Sequence, residues 1–373
     1  MDKSKINVRQ LFALIVLFEV GTALVVPIGL TAERDVWFSI FLALLGGILL
    51  FLVYDYLYRQ YPDLPISGYA RKILGQYIGW PLCLTYVIFF IYNGSRDLRD
   101  AGDLLATSTY DQTPVFVLNA IMIMAVVYVL YKGMEVLARL GEIYLIILIC
   151  LGALGNIFVL FSGIIDLKNM FPMFHKGWVP VFKAAYPNIF MFPFGEMICF
   201  TTILPYLNRS QLGRKTGVYA LIFSGIILSF THAVEISVLG INMYERSTFP
   251  LFSMIGLVNI ADFLQRLDAI VILTLIIGDF FKIAIFCYAA VIVAADIFNV
   301  QKQKLVLPIG IVVLFSSVII SENWTEHIEE GSFHLKAILP IYALAIPVLL
   351  LMVHIIRKRF SLYRSNNSQK NKR

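Results

Sequence analysis

Charged side chains are scarce in this sequence. Asp, Glu, Lys and Arg make up 14% of its 373 residues, whereas a soluble domain carries about 25%. Hydrophobic residues make up 59%, and apolar stretches such as 115–131 and 305–320 approach the ~20 residues that cross a bilayer. The scarcity of charge excludes an ordinary soluble domain, and the apolar stretches predict an all-α polytopic membrane protein embedded in a lipid bilayer.

Cysteine is rare as well, and the few thiols are far apart. Cys83, Cys150, Cys199 and Cys287 lie one each in separate apolar segments. This spacing matches neither a metal site nor a disulfide framework. We therefore expect no metal and no cofactor, and interpret the thiols as small apolar side chains. Motifs of phosphate-binding loops, zinc proteases and serine hydrolases are missing too, and the chain is predicted not to be an enzyme.

Positive charge is concentrated at loop ends and in the C-terminal tail. The net charge is +6, but there is no basic stripe, so we expect no nucleic-acid partner. With the N-terminus placed in the cytoplasm, 20 Lys and Arg residues fall on the cytoplasmic side and 9 on the outer side. By the positive-inside rule, the N-terminal segment 1–9 and the basic tail 358–373 are both predicted to be cytoplasmic.

Ten membrane spans are predicted from hydropathy. They cover about 10–31, 36–58, 78–104, 114–131, 136–163, 178–207, 216–243, 267–297, 304–321 and 337–357. Segment 249–264 is too short and too polar for an eleventh span. We expect it to form an interfacial or re-entrant helix that leads into span eight.

Glycine and proline interrupt two of these spans. The sequence at 21–27 reads GTALVVP, and the sequence at 191–196 reads MFPFGE. Both residues weaken the helical hydrogen-bond ladder, and freed backbone groups in a membrane need polar partners. Spans one and six hold equivalent positions in two five-span halves, which enter the membrane from opposite faces. We therefore predict an inverted-repeat transporter fold with repeats at 10–165 and 166–357 and broken helices 1 and 6.

Side chains around the two breaks are the candidates for a binding site. Gly21 permits close approach of the backbone, and Thr22 offers a hydroxyl group beside it. Glu196 directly follows the second break, where a buried carboxyl group can accept a proton, bind an ammonium group or hydrogen-bond a neighbouring helix. Aromatic residues near the second break are candidates for an apolar pocket wall or for simple packing: Phe190, Phe192 and Phe194.

Lys282 lies near the middle of span eight, on the order of 20 Å from either end at 1.5 Å per residue. Its side chain is too short to reach water from there, so it must pair with an anion, donate to carbonyl groups or be neutral. Asp279 lies three residues earlier on the same helix face and is the candidate partner. In folds of this type the region beside the first break often holds sodium. An ammonium group there would substitute for the cation and favour proton coupling or no coupling.

Other charged groups admit two interpretations each. His232 and Glu235 share a helix face in span seven. They could form a proton relay or make a hydrogen bond to a neighbouring helix. Glu19 in span one is a similar case. The charged segment 96–103 contains Arg–Asp pairs at i, i+4 spacing and is expected to form a surface network at the end of span three. Acidic and histidine residues crowd the last outer loop and are expected to be solvated: Glu326, His327, Glu329, Glu330 and His334.

Several motifs together resemble the B subunits of spore germinant receptors, the GerAB-type endospore germination permeases. These are PFGEM at 193–197, the first break at 21–27, the segment 96–103 followed by Thr113-Pro114, and RLDA at 266–269 with Lys282. The resemblance covers essentially the whole chain. One departure is Ala23, where relatives often have a second glycine, which tightens the first break.

The resemblance implies a LeuT-like core of the amino acid–polyamine–organocation superfamily. It implies a location in the spore inner membrane or cell membrane, in a complex with an A subunit and a lipoprotein C subunit. It also implies that the B subunit senses a small germinant such as an amino acid. By matching position, the germinant pocket would be lined by Gly21, Thr22, Ala23, Pro193, Phe194, Gly195 and Glu196, with Lys282 beside the first break.

The favoured hypothesis is a germinant-sensing receptor subunit built on a transporter fold. One alternative is a proton-coupled amino acid permease, with Lys282 and Glu196 as coupling groups. The other is an ion-channel component of the receptor, although the sequence shows no repeated carbonyl filter or ring of acids.

Overall fold

A computed structural model of the chain describes residues 5–259, 267–321 and 323–370. Four parts of the sequence predictions lie outside these ranges. They are residues 1–4 of the N-terminal segment, the end of segment 249–264, Arg266 of the RLDA motif, and residues 371–373 of the basic tail.

The described residues are almost entirely helical. The α-helices are α1 (Val8–Val20), α2 (Val36–Gln60), α3 (Ile66–Leu74), α4 (Gln76–Ser108), α5 (Val115–Lys132), α6 (Met134–Phe161), α7 (Trp178–Lys183), α8 (Gly213–Arg246), α9 (Pro250–Gly256), α10 (Asp268–Phe298), α11 (Lys302–Ile319), α12 (Trp324–Phe333) and α13 (Ile346–Lys370). Within the described ranges, eight helical stretches are long and apolar enough to cross a membrane. The predicted all-α polytopic class is confirmed.

The two predicted breaks explain why spans one and six are missing from those eight stretches. α1 ends at Val20, and Gly21 leaves the helical region with φ −33° and ψ −107°. A single 3₁₀ turn follows at Thr22–Leu24. The sixth segment consists of the short α7, a π-helical turn at Ala184–Ile189 and a 3₁₀ helix at Phe194–Thr202. The broken helices are confirmed, while the total of ten spans stays a prediction.

Local chemistry accounts for where several helices begin. At the start of α1, Asn7 Oδ1 accepts from the Gln10 amide at 2.8 Å, and Gln10 Oε1 accepts from the Asn7 amide at 2.9 Å. This reciprocal pair satisfies two amides that lack helical partners. Gly133 has φ +103° and joins α5 to α6, a conformation that favours glycine. α9 is a short helix within the segment 249–264, and the interfacial or re-entrant placement of this segment stays a prediction.

α10 forms the centre of the molecule. In its most apolar window 72% of the residues are buried, compared with 17% for α6, which therefore faces the surrounding membrane. α10 packs against α4, α1 and α11. A Cβ atom on Gly278 would lie 2.5 Å from Gly21 Cα, so only glycine lets α10 touch the first break this closely. This contact places Lys282, one turn further along α10, beside the break.

Polar contacts close the end of the molecule that carries both termini. Arg71 Nη2 lies 2.7 Å from Asp296 Oδ2, and Ser67 Oγ donates to the same oxygen at 2.5 Å. The N-terminal segment is tied down as well, since the Ile6 amide donates to the Tyr206 carbonyl oxygen at 2.9 Å. These contacts join α3, α10, the N-terminus and the segment after the second break.

Candidate functional site

Lys282 is fully buried and lies between carboxyl groups from two other segments. Its Nζ is 2.9 Å from Glu196 Oε2 after the second break and 3.3 Å from Asp97 Oδ1 in α4. The ammonium group also lies 4.1 Å from the centre of the Phe192 ring, a cation–π distance. One lysine therefore connects α10, α4 and the second break.

Thr22 connects the first break to the same cluster. Its hydroxyl oxygen lies 2.6 Å from Asp279 Oδ1 and 3.3 Å from Asp97 Oδ1. A hydroxyl group has one hydrogen to donate, so both contacts are hydrogen bonds only when one carboxyl group carries a proton. Asp279 thus contacts Thr22, whereas the sequence paired it with Lys282.

Carboxyl groups outnumber cations in this cluster. Glu19, Asp97, Glu196 and Asp279 are between 0% and 4% exposed, and Lys282 is 0% exposed. Glu19 interacts electrostatically with Glu196 and Lys282, and neither of its carboxyl oxygens has a hydrogen-bond partner among the described residues. Isolated buried charges are very costly. Protons or a bound cationic group must therefore neutralise the excess acid.

A cavity of about 480 Å³ lies beside this cluster, toward the end of the molecule opposite the termini, and is within the size range of small-molecule sites. Asp97, Glu196 and Phe192 form its inner end, and the unwound segment 26–30 forms one wall. The side chains around its outer end are exposed: Glu245, Arg246 and Lys336. The cavity thus leads from the surface to the charged cluster between the two breaks.

Several predicted site residues lie together around the two breaks. Glu196 lines the cavity directly. Gly21, Thr22 and Ala23 form the turn where α1 stops, with Thr22 bonded to Asp279 as described above. These residues and Lys282 are brought together around the two breaks.

Residues around the second break face two directions. Phe190 and Phe194 pack against the glycines 46 and 47 of α2. Pro193 and Gly195 are also buried, and a Cβ atom on Gly195 would lie 3.2 Å from Met191 Sδ. Phe192, by contrast, lines the cavity. The aromatic wall of the cavity at this break therefore comes from the middle of the three phenylalanines.

Sequence reasoning missed Asp97, because it assigned segment 96–103 to a surface network. α4 extends to Ser108, and this segment lies inside the bundle because Asp97 and Arg99 are buried. The expected Arg99–Asp103 pair is present at 2.8 Å, but Arg96 Nη2 donates to the His327 carbonyl oxygen instead of Asp100. Small residues before and among the charges were the available clue, since they are typical of packed membrane helices: Gly94, Ser95, Ala101 and Gly102.

Residues 326–334, which were expected to form a solvated last outer loop, are packed against α4. His327 is fully buried, and its Nε2 lies 2.7 Å from Asp100 Oδ1. His334 Nε2 lies 3.0 Å from Asn93 Oδ1. The expectation of solvation was therefore wrong for both histidines. α12 and the residues after it cover part of the cavity, because His327 and His334 hold this segment against α4.

These features define a multi-pass membrane protein with a LeuT-like transporter fold around a small cavity that ends at a cluster of charged groups. Two solved structures share the fold. Mhp1, a nucleobase-cation-symport-1 family transporter in a closed conformation with bromovinylhydantoin bound, superimposes with a TM-score of 0.66 and 14% identity over 94% of this chain and 78% of Mhp1. MhsT in complex with L-phenylalanine gives a TM-score of 0.63 and 14% identity over 93% of this chain and 97% of MhsT.

Sequence comparison identifies the family. Residues 5–325 match the spore germination protein family, and this chain belongs to it. Spore germination protein KB of Bacillus subtilis (strain 168) is 35% identical over 365 residues, which cover 96% of this chain and 97% of that protein. The family predicted from the sequence motifs is confirmed.

Proposed function

We propose that this chain is the germinant-sensing membrane subunit of a spore germination receptor. In this proposal, a small amino-acid-like nutrient binds in the cavity beside the breaks of helices 1 and 6. The observation that carries the proposal is the charged cluster at the inner end of the cavity. Lys282, Glu196 and Asp97 join the second break to α4 and α10 there, and Thr22 joins the first break to Asp97. A polar solute at this point would contact Glu196 after the second break and Asp97 of α4, the two acids that hold Lys282.

The predicted site residues have distinct roles in this proposal. Glu196 and Phe192 contact the nutrient directly. The residues that shape the breaks are Gly21, Thr22, Ala23, Pro193 and Gly195, and those that anchor the second break to α2 are Phe190 and Phe194. The ammonium group of Lys282 takes the place of a bound cation, and Asp279 is a coupling group beside it.

Binding would act by shifting a balance between two arrangements of the molecule. A ligand shifts such a balance only by its difference in affinity for the two states, and coupling of ~1–3 kcal/mol is typical. The shift would pass to an A subunit and a lipoprotein C subunit and trigger germination. We place this complex in the spore inner membrane, with both termini of this chain in the cytoplasm.

The excess of buried acid favours a second candidate function, a proton-coupled amino acid permease. The cluster holds carboxyl groups of Glu19, Asp97, Glu196 and Asp279 against the single ammonium group of Lys282. Such a site can take up and release protons as a substrate binds and leaves.

A germination screen tests the receptor function. A strain whose only receptor contains this chain is exposed to amino acids, sugars and nucleosides, and germination is followed by loss of optical density. We expect a response to one or a few small nutrients. No response to any nutrient, in spores that contain the protein, would contradict the proposal.

Uptake in proteoliposomes separates the two candidate functions. The purified chain is reconstituted with the nutrient found in the screen, in labelled form, and a proton gradient is applied. We expect binding without gradient-driven accumulation. Accumulation that collapses with the gradient would establish the permease instead.

A further inference from the structure

The first break leaves two backbone carbonyl groups without helical partners. In a continuous helix Ala23 O would accept from residue 27, but Pro27 has no amide hydrogen. Ile28 O would accept from the Ala32 amide, which bonds to Gly29 O at 2.9 Å instead. Both carbonyl groups lie at membrane depth, where an unpartnered polar group is costly.

α8 supplies the missing donors. His232 Nε2 lies 3.0 Å from Ala23 O. Because a carbonyl oxygen can only accept, this nitrogen carries the hydrogen. The Tyr244 hydroxyl donates to Ile28 O at 3.3 Å. Both side chains are 0% exposed, so water does not compete for either contact.

A third side chain orients this pair. His232 Nδ1 lies 2.7 Å from Glu235 Oε2 and 3.1 Å from the Tyr244 hydroxyl. Glu235 is also 0% exposed. Since Nε2 already carries a hydrogen, the contact between Nδ1 and Glu235 is made by a proton that sits on one or the other group. The imidazole ring is therefore held in one orientation, with Nε2 directed at the break.

A bend in α8 makes this arrangement possible. His232 and Tyr244 would be about 18 Å apart along a straight helix, yet their side chains are in contact. Gly240 lies between them with φ +64° and ψ +164°, a conformation that favours glycine. The bend frees Ser237 O, which accepts from the Asp166 amide and from Asn169 Nδ2, each at 3.0 Å. Two donors therefore satisfy the carbonyl group of Ser237 in the bent helix.

We propose that His232 and Tyr244 are positioning residues for the ligand cavity. They hold the carbonyl groups of Ala23 and Ile28, and so fix the unwound segment 26–30 that forms a cavity wall. Neither side chain touches the cavity itself. The inference concerns the shape of the wall, and its consequence for ligand response rests on the proposed function.

Hydrogen exchange of the purified chain tests the positioning role without any ligand. In Tyr244→Phe we expect the amides of 22–30 to exchange about fivefold to tenfold faster, as expected for the loss of one buried hydrogen bond. His232→Leu should behave in the same way, whereas His232→Gln keeps a side-chain N–H donor and should stay near the wild-type rate. Unchanged exchange in Tyr244→Phe would overturn the proposal.

Tyr61→Phe is the matched control. The Tyr61 hydroxyl contacts His354 Nδ1 at 2.8 Å, which is the same chemistry far from the break. We expect unchanged exchange at 22–30 in this variant. If Tyr61→Phe accelerates exchange there as much as Tyr244→Phe does, the effect is global and the positioning role is refuted.

The germination response separates this inference from the proposed function. With Tyr244→Phe we expect the half-maximal nutrient concentration to rise about fivefold to tenfold at an unchanged maximal rate, since one hydrogen bond is lost. Faster exchange with an unchanged nutrient response would retain the positioning role and count against the cavity as the germinant site. If Gly195→Leu abolishes the response while Tyr244→Phe changes neither exchange nor response, the cavity is retained as the proposed germinant site and the positioning role is refuted.

Discussion

The ammonium group of Lys282 is held by carboxyl groups that are distant in sequence. Asp97 and Glu196 hold its ammonium group, and Phe192 lies beneath it. The neighbour on its own helix, Asp279, is used by Thr22 instead. Removing one member of a buried ion pair commonly costs ~3–5 kcal/mol, because the other charge is left without compensation. The stability of the protein is therefore sensitive to the loss of any one charged side chain of this cluster.

Lys282→Met tests this dependence. The substitution removes the only cation of the cluster among the described residues and leaves its carboxyl groups to repel one another. We expect a loss of stability of ~3–5 kcal/mol and loss of the germination response. The melting temperature in detergent measures the stability, and the loss of optical density of spores measures the germination response.

Lys168→Met is the control, because Lys168 is exposed in the outer loop. It should leave both measurements close to wild type. Equal and mild effects of the two substitutions would show that Lys282 does not act as a buried cation.

At the scale of helices, glycine decides where elements bend and touch. Gly21 and Gly278 permit contact between the first break and α10. Gly195 lies within the second break against Met191, and Gly240 bends α8 so that Tyr244 reaches His232. Each of these glycines is at a place where a helix stops being regular or meets another backbone closely. The breaks are thus features of packing as much as of local sequence.

Gly195→Leu and Gly21→Leu test the breaks as parts of the site. A leucine at either position meets atoms that lie 3.1–3.2 Å from the added Cβ, and overpacking of this kind costs ~1–3 kcal/mol. We expect the protein to reach the membrane in normal amount and the germination response to be abolished. Immunoblots of spore membranes and germination assays provide the two measurements.

Gly152→Leu is the matched control for these substitutions. It lies on the exposed face of α6 with no atom within 4 Å of an added Cβ. Normal germination is expected. A normal response of all three leucine variants would remove the breaks from the proposed site.

The whole molecule is closed at the end that carries its termini and holds a cavity toward the other end. Asp296 joins α3 to α10 at the closed end, whereas exposed residues such as Arg246 and Lys336 surround the outer end of the cavity. With the termini in the cytoplasm, as proposed above, the cavity opens toward the outer side of the membrane. It leaves the charged cluster within reach of a solute from one side of the membrane.

A cysteine at position 332 tests this asymmetry. Ser332 lines the cavity, and the native thiol that is exposed, Cys150, is first replaced by serine. In Ser332→Cys we expect a membrane-impermeant thiol reagent to label the chain from the outer side, and bound nutrient to slow the labelling. Mass spectrometry of sealed vesicles of known orientation gives the measurement. Labelling only from the side of the termini would refute the assigned orientation.

Much of this protein could be predicted from sequence because the relevant properties are local. Low charge and long apolar stretches determine that the chain crosses a membrane. Glycine and proline at 21–27 and 191–196 determine where two of its helices stop, and the central place of Lys282 in an apolar span determines that it needs an anion. These conclusions depend on the bilayer as solvent and on backbone chemistry.

The tertiary structure alone decided which distant groups meet. No spacing rule links Asp97 to Lys282, places His327 in a buried contact, or bends α8 at Gly240. These features arise when helices far apart in sequence pack together, and every buried polar group must then find its partner among whatever neighbours that packing provides. The sequence by itself determined the class of protein and the need for compensation, and the packing determined the partners.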